Sequence, residues 1–199
     1  MANILHSVLQ GSEIHEPKGA DTASEKQVYL SDGTGSGAWT NWPTGWGYYV
    51  DNTAQVFGNS FSKLTISGTG SGSDSTHLPI GIRGSGELWD SSSNVITPMA
   101  VGDAYDMRLN LPITAETGSP TEITIQLDIG GGASPSIVVA SRCAGAGRST
   151  PYTITVGFPI FTLSTFITNG GQFFVKTDAG SVTITNPGLL LVRSHTGDI

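Results

Sequence analysis

Cysteine, charge and long apolar runs are all scarce in this chain of 199 residues. Cys143 is the only cysteine, so no disulfide can form within one chain. Charged residues make up 13% of the sequence, and the nine lysines and arginines are scattered along it. The longest purely apolar runs have about four residues, far below the ~20 that a membrane span needs. These shortages exclude a disulfide framework and a transmembrane helix, and we expect no membrane partner.

The net charge of −7 bears on the kinds of partner that the surface accepts. An acidic surface repels phosphate backbones, and no cluster of lysine or arginine offsets the repulsion here. We therefore expect no nucleic-acid partner. The first ten residues lack the basic and apolar segments of a secretion signal, so we expect folding in a reducing cytoplasm.

A strict alternation of apolar and polar residues over positions 103–129 is the strongest pattern present. Because a strand points successive side chains to opposite faces, this alternation predicts two strands, each with one apolar face. Residues 114–121 between them are rich in turn formers. The pattern therefore predicts a hairpin that lays its apolar face on a second sheet. The apolar positions are Tyr105, Met107, Leu109, Leu111, Ile113, Ile123, Ile125, Leu127 and Ile129.

Short strand candidates separated by turn formers recur from Gly47 onward. With 27 Gly, 10 Pro and no run of helical periodicity, the chain is expected to contain very little helix. Many short strands joined by turns fit a double-sheet jelly roll better than a parallel sheet. We predict an all-β chain, with a C-terminal double-sheet jelly-roll sandwich (47–199) preceded by an extended N-terminal arm (1–46) with little regular structure. The other strand candidates are 27–30 in the arm and 47–50, 54–57, 61–67, 77–82, 136–140, 152–161, 163–167, 172–177, 181–185 and 189–194 in the sandwich.

The N-terminal arm combines a polar composition with bulky aromatic residues. Ile14 is the only large apolar residue in the polar run 11–26, which is too little apolar surface to fold alone. Trp39, Trp42 and Trp46 follow closely, and tryptophan is enriched at binding hot spots. We interpret the arm as a binding segment, the alternative being that the tryptophans pack onto the following domain.

Several strands near the C-terminus are apolar at consecutive positions, as in Leu189-Leu-Leu-Val192. A strand that is apolar on both faces needs cover on both, yet in a two-layer sandwich one face points outward. Exposing a Leu or Val forfeits about 1.5–3 kcal/mol relative to burying it. We therefore predict an oligomer whose identical copies cover these patches. The alternative is that a long loop of the same chain covers them.

No arrangement of residues points to catalysis or to a metal. The four histidines lie far apart and show no metal-ligand spacing. Gly68-Thr-Gly-Ser-Gly72 has glycine where a nucleophile elbow requires serine. The loop aspartates match no calcium-binding repeat. We predict that the chain is not an enzyme and that it uses no cofactor and no metal. The loop aspartates are Asp51, Asp74, Asp90 and Asp178.

Three elements of the arm occur in a characteristic order. They are Ile14-His-Glu-Pro-Lys-Gly19, then Gln27-Val-Tyr29, then Asp32-Gly33 with Gly35-Ser-Gly-Ala-Trp39. In this order they resemble the N-terminal anchor of tailed-phage head decoration or capsid-fibre proteins. From Gly47 onward the strand count and the aromatic C-terminal strands are similar to the trimeric jelly rolls of tumour-necrosis-factor and complement type.

The resemblance implies a homotrimer on the outer capsid surface of a virion, made in the host cytoplasm and bound to the major capsid protein. It implies that the arm lies on the shell while the jelly rolls project. The arm residues expected to contact the capsid are Ile14, His15, Pro17, Lys18, Val28, Tyr29, Trp39 and Trp42. From the apolar runs, we expect the threefold seam to be lined by Phe158, Phe161, Phe173, Leu190 and Val192.

Two alternatives share the same architecture. One is a receptor- or carbohydrate-binding knob of a fibre or tail component, in which Trp89 and Tyr152 stack on the sugar rings of a host-surface glycan. The other is a tail or baseplate component, which shares the trimer but attaches elsewhere on the particle.

Overall fold

The computed structural model describes residues 23–24, 27–31, 37–41, 44–79, 88–117, 120–146 and 151–197. The chain divides into two compact units, and the boundary in the sequence lies between Trp42 and Pro43.

The first unit contains an antiparallel hairpin of β1 (Gln27–Ser31) and β2 (Gly37–Asn41). Tyr29 lies opposite Trp39, and their rings meet edge-on with centroids 5.6 Å apart. Such cross-strand aromatic pairs stabilise a hairpin. A Cβ on Gly37 would lie 2.2 Å from the Leu30 carbonyl oxygen, so only glycine allows the strands to approach there. The predicted strand at 27–30 is confirmed, whereas β2 was not predicted.

The second unit is a two-sheet sandwich. Its elements are β3 (Gly45–Val50), β4 (Gln55–Phe57), β5 (Ser62–Lys63), β6 (Trp89–Asp90), β7 (Val95–Ile96), β8 (Ala104–Thr117), β9 (Glu122–Asp128), β10 (Val138–Gly145), β11 (Tyr152–Phe161), α1 (Ser164–Asn169), β12 (Gln172–Thr177), β13 (Ser181–Ile184) and β14 (Gly188–His195). A four-stranded sheet has the order β10-β9-β12-β5, and a six-stranded sheet has the order β3-β14-β8-β13-β4 with β11 also paired to β8. Every pairing in these sheets is antiparallel, and the predicted all-β double-sheet jelly roll is confirmed.

The alternating residues of β8 and β9 form the centre of the core, but the two strands are not a hairpin. Their apolar side chains, from Tyr105 to Ile129, are buried in one cluster. β8 belongs to the six-stranded sheet and β9 to the four-stranded sheet, so the chain crosses from one layer to the other between them. Alternation specifies which face of a strand is buried, but it does not determine which other strand forms hydrogen bonds with it. The hairpin prediction was therefore wrong.

β8 is long enough to pair with two different strands along one edge. Its first half pairs with β14 as far as Asn110, and the part from Ile113 onward pairs with β13. Pro112 lies at the change of partner, where its missing N–H removes no ladder bond. Its carbonyl accepts the N–H of Thr185 at 2.9 Å.

The predicted strand at 163–167 is wrong, because Ser164–Asn169 forms the short helix α1. Phe166 is the only residue of the helix that is buried. Gly170 ends the helix at φ 71°, a conformation that favours glycine, and its N–H donates to the Phe166 carbonyl at 2.8 Å. None of the helices in the described ranges is both long and apolar enough to cross a membrane.

Several predicted strands have different bounds in the structure. The candidate at 61–67 contains only the two-residue β5, and the candidate at 136–140 continues to Gly145 as β10. In the candidate at 77–82, the first three residues are not a strand and the rest lie outside the described residues. The hairpin of β6 and β7 was not predicted.

A buried ion pair joins the start of β8 to the end of β14. Arg193 is 4% exposed and donates through Nε and Nη2 to the fully buried Asp103, at 2.9 and 2.7 Å. Asp103 also accepts the N–H groups of Ala100 and Gly197 and the hydroxyl of Tyr105. Burial raises the pKa of Asp103, but hydrogen bonds from Arg193, Gly197 and Ala100 outweigh it, and the pKa lies below its ordinary value.

Replacing Arg193 by Met should lower the free energy of unfolding by about 3–5 kcal/mol, because it leaves the Asp103 carboxylate buried without its counter-ion. Urea unfolding followed by circular dichroism measures the loss. The double variant Asp103→Asn/Arg193→Met removes both charges and should lose less than Arg193→Met alone. A double variant as unstable as the single one would show that charge pairing is not the cause.

Candidate interaction surfaces

Alternate residues of β14 point out of the sandwich. Leu189 and Leu191 are fully buried, whereas Leu190 and Val192 lie half-buried on the outer side of the six-stranded sheet. The consecutive apolar residues of this strand therefore do face in both directions, as predicted. Their outer side is only partly covered within one chain.

Two aromatic residues of β3 extend this outer side. The register places Tyr48 beside Leu190 and Trp46 beside Val192, and all four side chains are half-buried. Because neighbouring strands in register direct paired residues to the same face, the four form one continuous surface. We call Trp46, Tyr48, Leu190 and Val192 the β3–β14 face.

The aromatic rings of this face are held in place by their neighbours. Trp46 stacks on His77 with ring centroids 4.8 Å apart, and the backbone N–H of Trp46 donates to the His77 carbonyl at 2.9 Å. A Cβ on Gly188 would lie 2.4 Å from the Tyr48 hydroxyl oxygen, so glycine leaves the room that the phenol occupies. Rings that are ordered in advance lose little conformational entropy on binding.

A balanced pair of charges borders the β3–β14 face on β8. Leu190 lies opposite Arg108 and Val192 opposite Asp106, and the two charged side chains form an exposed ion pair at 3.5 Å. An exposed pair of this kind contributes at most about 1 kcal/mol to stability. Because the charges of Arg108 and Asp106 are opposite, the apolar surface has no net charge along this border.

Two of the predicted seam residues are core residues instead. Phe158 and Phe173 are fully buried inside the sandwich, with ring centroids 5.5 Å apart. β11 alternates so that Phe158 points inward and Phe161 outward, and Phe161 is 65% exposed. Phe158 and Phe173 were therefore wrongly assigned to the seam, because a ring enclosed by its own chain cannot contact a second copy.

β12 shows how one chain can cover both faces of a strand. Phe173, Phe174 and Val175 are consecutive and all fully buried. Phe174 points away from the core that Phe173 enters, since neighbouring residues face opposite ways. For this strand the chain itself provides the cover, and no second copy is needed.

A second exposed apolar cluster surrounds Phe161. Leu163 and Ile167 are exposed and lie one helical turn apart, with the Ile167 N–H donating to the Leu163 carbonyl at 3.1 Å. Val101 is also exposed, and the next residue along the chain donates its N–H to the Thr162 carbonyl. The sequence did not predict this cluster, because the helix that presents it was expected to be a strand.

The predicted capsid-contacting residues fall in the first unit. Val28, Tyr29 and Trp39 lie in the β1–β2 hairpin and are half-buried. Tyr29 and Trp39 share one face of the hairpin, while Val28 points to the other. Contact of these residues with a capsid stays a prediction. Ile14, His15, Pro17, Lys18 and Trp42 lie outside the described residues.

The loop aspartates accept hydrogen bonds from their own loop or from another segment of the chain. Hydrogen bonds from the Ser92 and Ser93 hydroxyls lower the pKa of Asp90 to about 2. Asp178 accepts the hydroxyl of Thr121 and nearby N–H groups, which lower its pKa to about 2. Within the described ranges, no three His, Cys, Asp or Glu side chains come together as a metal site would require.

The two aromatic residues considered for sugar stacking differ in exposure. Trp89 is 3% exposed, and its indole N–H donates to the Ile66 carbonyl at 2.8 Å. Tyr152 is half-buried, and its hydroxyl donates to the Gly145 carbonyl at 2.5 Å. Trp89 therefore has no open ring face for stacking, whereas stacking on Tyr152 stays a prediction.

Comparisons with known proteins show distant similarity of fold only. No protein-family model matches the chain, and no curated protein matches its sequence. The structure of Eiger TNF from S. frugiperda overlaps 79% of this chain and 96% of its own, at 10% identity and a TM-score of 0.48. The PRD1 vertex protein P5 overlaps 87% and 84%, at 9% identity and a TM-score of 0.49. At these values the similarity says nothing about function.

The separation of core from surface on β11 is testable with one pair of variants. Phe158→Ala should lower the free energy of unfolding by about 3–5 kcal/mol, because it leaves a cavity in the core. Phe161→Ala should change it by less than about 0.5 kcal/mol in the monomer, because the ring is exposed. Urea unfolding of both variants at low protein concentration checks the pair. Equal losses would place both rings in the same environment, against the structure.

Proposed function

We propose that the chain is a structural virion protein that forms a homotrimer and decorates or cements the outer surface of a phage capsid. The arm binds the shell and the jelly roll projects from it. The observation that carries this proposal is the β3–β14 face, where four large side chains in register stay only half-covered by their own chain. The motif order of the arm, which resembles phage head decoration proteins, provides the link to a capsid.

Self-association follows from the composition of the β3–β14 face. It combines two aromatic residues with Leu190 and Val192, and aromatic residues are enriched in the centres of protein interfaces. Covering each aliphatic side chain completely gains part of the ~1.5–3 kcal/mol that full burial provides. Three copies arranged in a ring cover every patch without leaving one open. Phe161 at the end of the edge strand β11 adds apolar surface, as do the exposed Val101, Leu163 and Ile167 outside that strand.

Attachment through the arm gains strength from the trimer. The β1–β2 hairpin presents Tyr29 and Trp39 together on one face, which provides a compact aromatic anchor. In a trimer three such anchors are joined, so that the second and third bind at a high effective concentration. A weak single contact with the major capsid protein then suffices for stable decoration.

Introducing a charge into the β3–β14 face should dissociate the oligomer. Leu190→Asp or Val192→Asp buries an unpaired carboxylate at the seam, which costs several kcal/mol at each contact. Sedimentation velocity should show a trimer for the unaltered chain and a monomer for either variant. Val56→Asp is the matched control, because Val56 is 66% exposed on β4 and should tolerate the charge. Trimers of both seam variants would reject this seam.

Removing the first unit should separate attachment from assembly. A variant that begins at Pro43 keeps β3 and its pairing with β14, so it should remain trimeric. It should no longer co-sediment with capsids that lack the decoration protein, whereas the full chain should bind them. Normal decoration by the truncated chain would show that the arm is not the anchor.

A further inference from the structure

A cavity of about 230 Å³ opens beside β3, between the segment 67–78 and the hairpin of β6 and β7. Its lining divides into an apolar floor and a polar rim. The floor is made by Tyr49, Leu78 and Trp89, and the rim by Ser67, Gly68, Thr69, Ser75, Asp90 and Ser91.

The floor of the cavity is rigid before any ligand enters. Tyr49 and Trp89 both belong to the buried core, and the Trp89 indole is tied to the Ile66 carbonyl. Gly68 has φ +69°, and a Cβ there would lie 3.3 Å from the Tyr49 ring, so the loop passes close over the ring. Ligand sites are usually preformed, with an apolar surface and a few placed polar groups.

The rim of the cavity consists mainly of hydroxyl groups, which can both donate and accept hydrogen bonds. Ser67 accepts from the Thr69 hydroxyl at 3.1 Å, so that these two are ordered together. Ser75 and Ser91 are exposed at the mouth. No lysine or arginine lines the cavity among the described residues.

Asp90 adds a strong acceptor to the rim. Its Oδ1 accepts the N–H and the hydroxyl of Ser92, at 2.8 and 2.6 Å. Its Oδ2 accepts the hydroxyl of Ser93. A carboxylate oxygen has two lone pairs, so Oδ2 can accept a further hydroxyl from a ligand.

We propose that this cavity binds one uncharged sugar ring of a glycan. The hydroxyls of a sugar ring match a rim that both donates and accepts, and its C–H groups contact Leu78, the half-buried residue of the floor. Asp90, the absence of lysine and arginine from the described lining residues, and the net charge of −7 all disfavour acidic sugars and phosphates. The proposal stands independently of capsid attachment, and it gives the projecting domain a ligand of its own.

The test uses the full chain and a panel of saccharides. The neutral members are maltotriose, lactose, mannotriose and chitotriose, and the acidic member is 3′-sialyllactose. Saturation-transfer NMR should show contact with at least one neutral saccharide, concentrated on a single ring. Isothermal titration should give a weaker affinity for sialyllactose than for lactose.

One variant tests whether the saccharide binds in this cavity. Ser75→Trp places an indole in the mouth at an exposed position, so the fold should be kept while the affinity falls at least tenfold. Ser60→Trp is the matched control, because Ser60 is an exposed loop serine outside the lining, and it should bind as the unaltered chain does. Thermal unfolding of both variants checks that the fold is intact.

Three outcomes would overturn the proposal. They are no saccharide contact in the full chain, unchanged affinity in a folded Ser75→Trp variant, or tighter binding of sialyllactose than of lactose. None of these outcomes affects the sedimentation or capsid-binding results, so a failure here is distinguishable from a failure of the virion proposal.

Discussion

Burial of the apolar sides of β8 and β9 in one core is the constraint on which the rest of this structure depends. β8 is the central strand of the six-stranded sheet and pairs on both of its edges. Once its odd-numbered residues face the core, its even-numbered residues must face outward. The pair Asp106 and Arg108 is thereby fixed on the outer surface, next to β14. The position of the β3–β14 face follows from this pairing.

Two local features keep β14 in register with β8. At one end of the pairing, Pro112 ends the contact with β14 and lets β13 take over the edge. At the other end, the ion pair of Asp103 and Arg193 joins the two strands inside the protein. A slip of one residue would turn Leu190 and Val192 inward and expose the two buried leucines. The ion pair therefore contributes to the surface as well as to the core.

β3 contributes to two surfaces with different chemistry. Tyr48 faces outward in the β3–β14 face, while its neighbour Tyr49 faces the other way and lines the cavity. A trimer that buries the first surface does not require the second. The proposed trimer and the proposed sugar site therefore use opposite sides of β3 and do not compete for the same residues.

The sequence by itself determined the class of fold and the faces of the strongest strands. The alternation of apolar and polar residues between Tyr105 and Ile129 was enough to identify the buried face of each strand, because the side-chain period of a strand depends only on local backbone geometry. The consecutive apolar residues of β14 also predicted that this strand has apolar side chains on both faces of the sheet. The single cysteine also excluded a disulfide within one chain.

Tertiary structure alone decided which apolar residues the chain covers by itself. Phe158 and Leu190 look alike in sequence, yet the first is enclosed between the sheets and the second stays half-exposed. The difference depends on which strands pair and on what lies across the core, and these are contacts between residues distant in the chain. The cavity lined by Tyr49 and Trp89 has the same origin, since its walls come from segments that only the folded sandwich brings together.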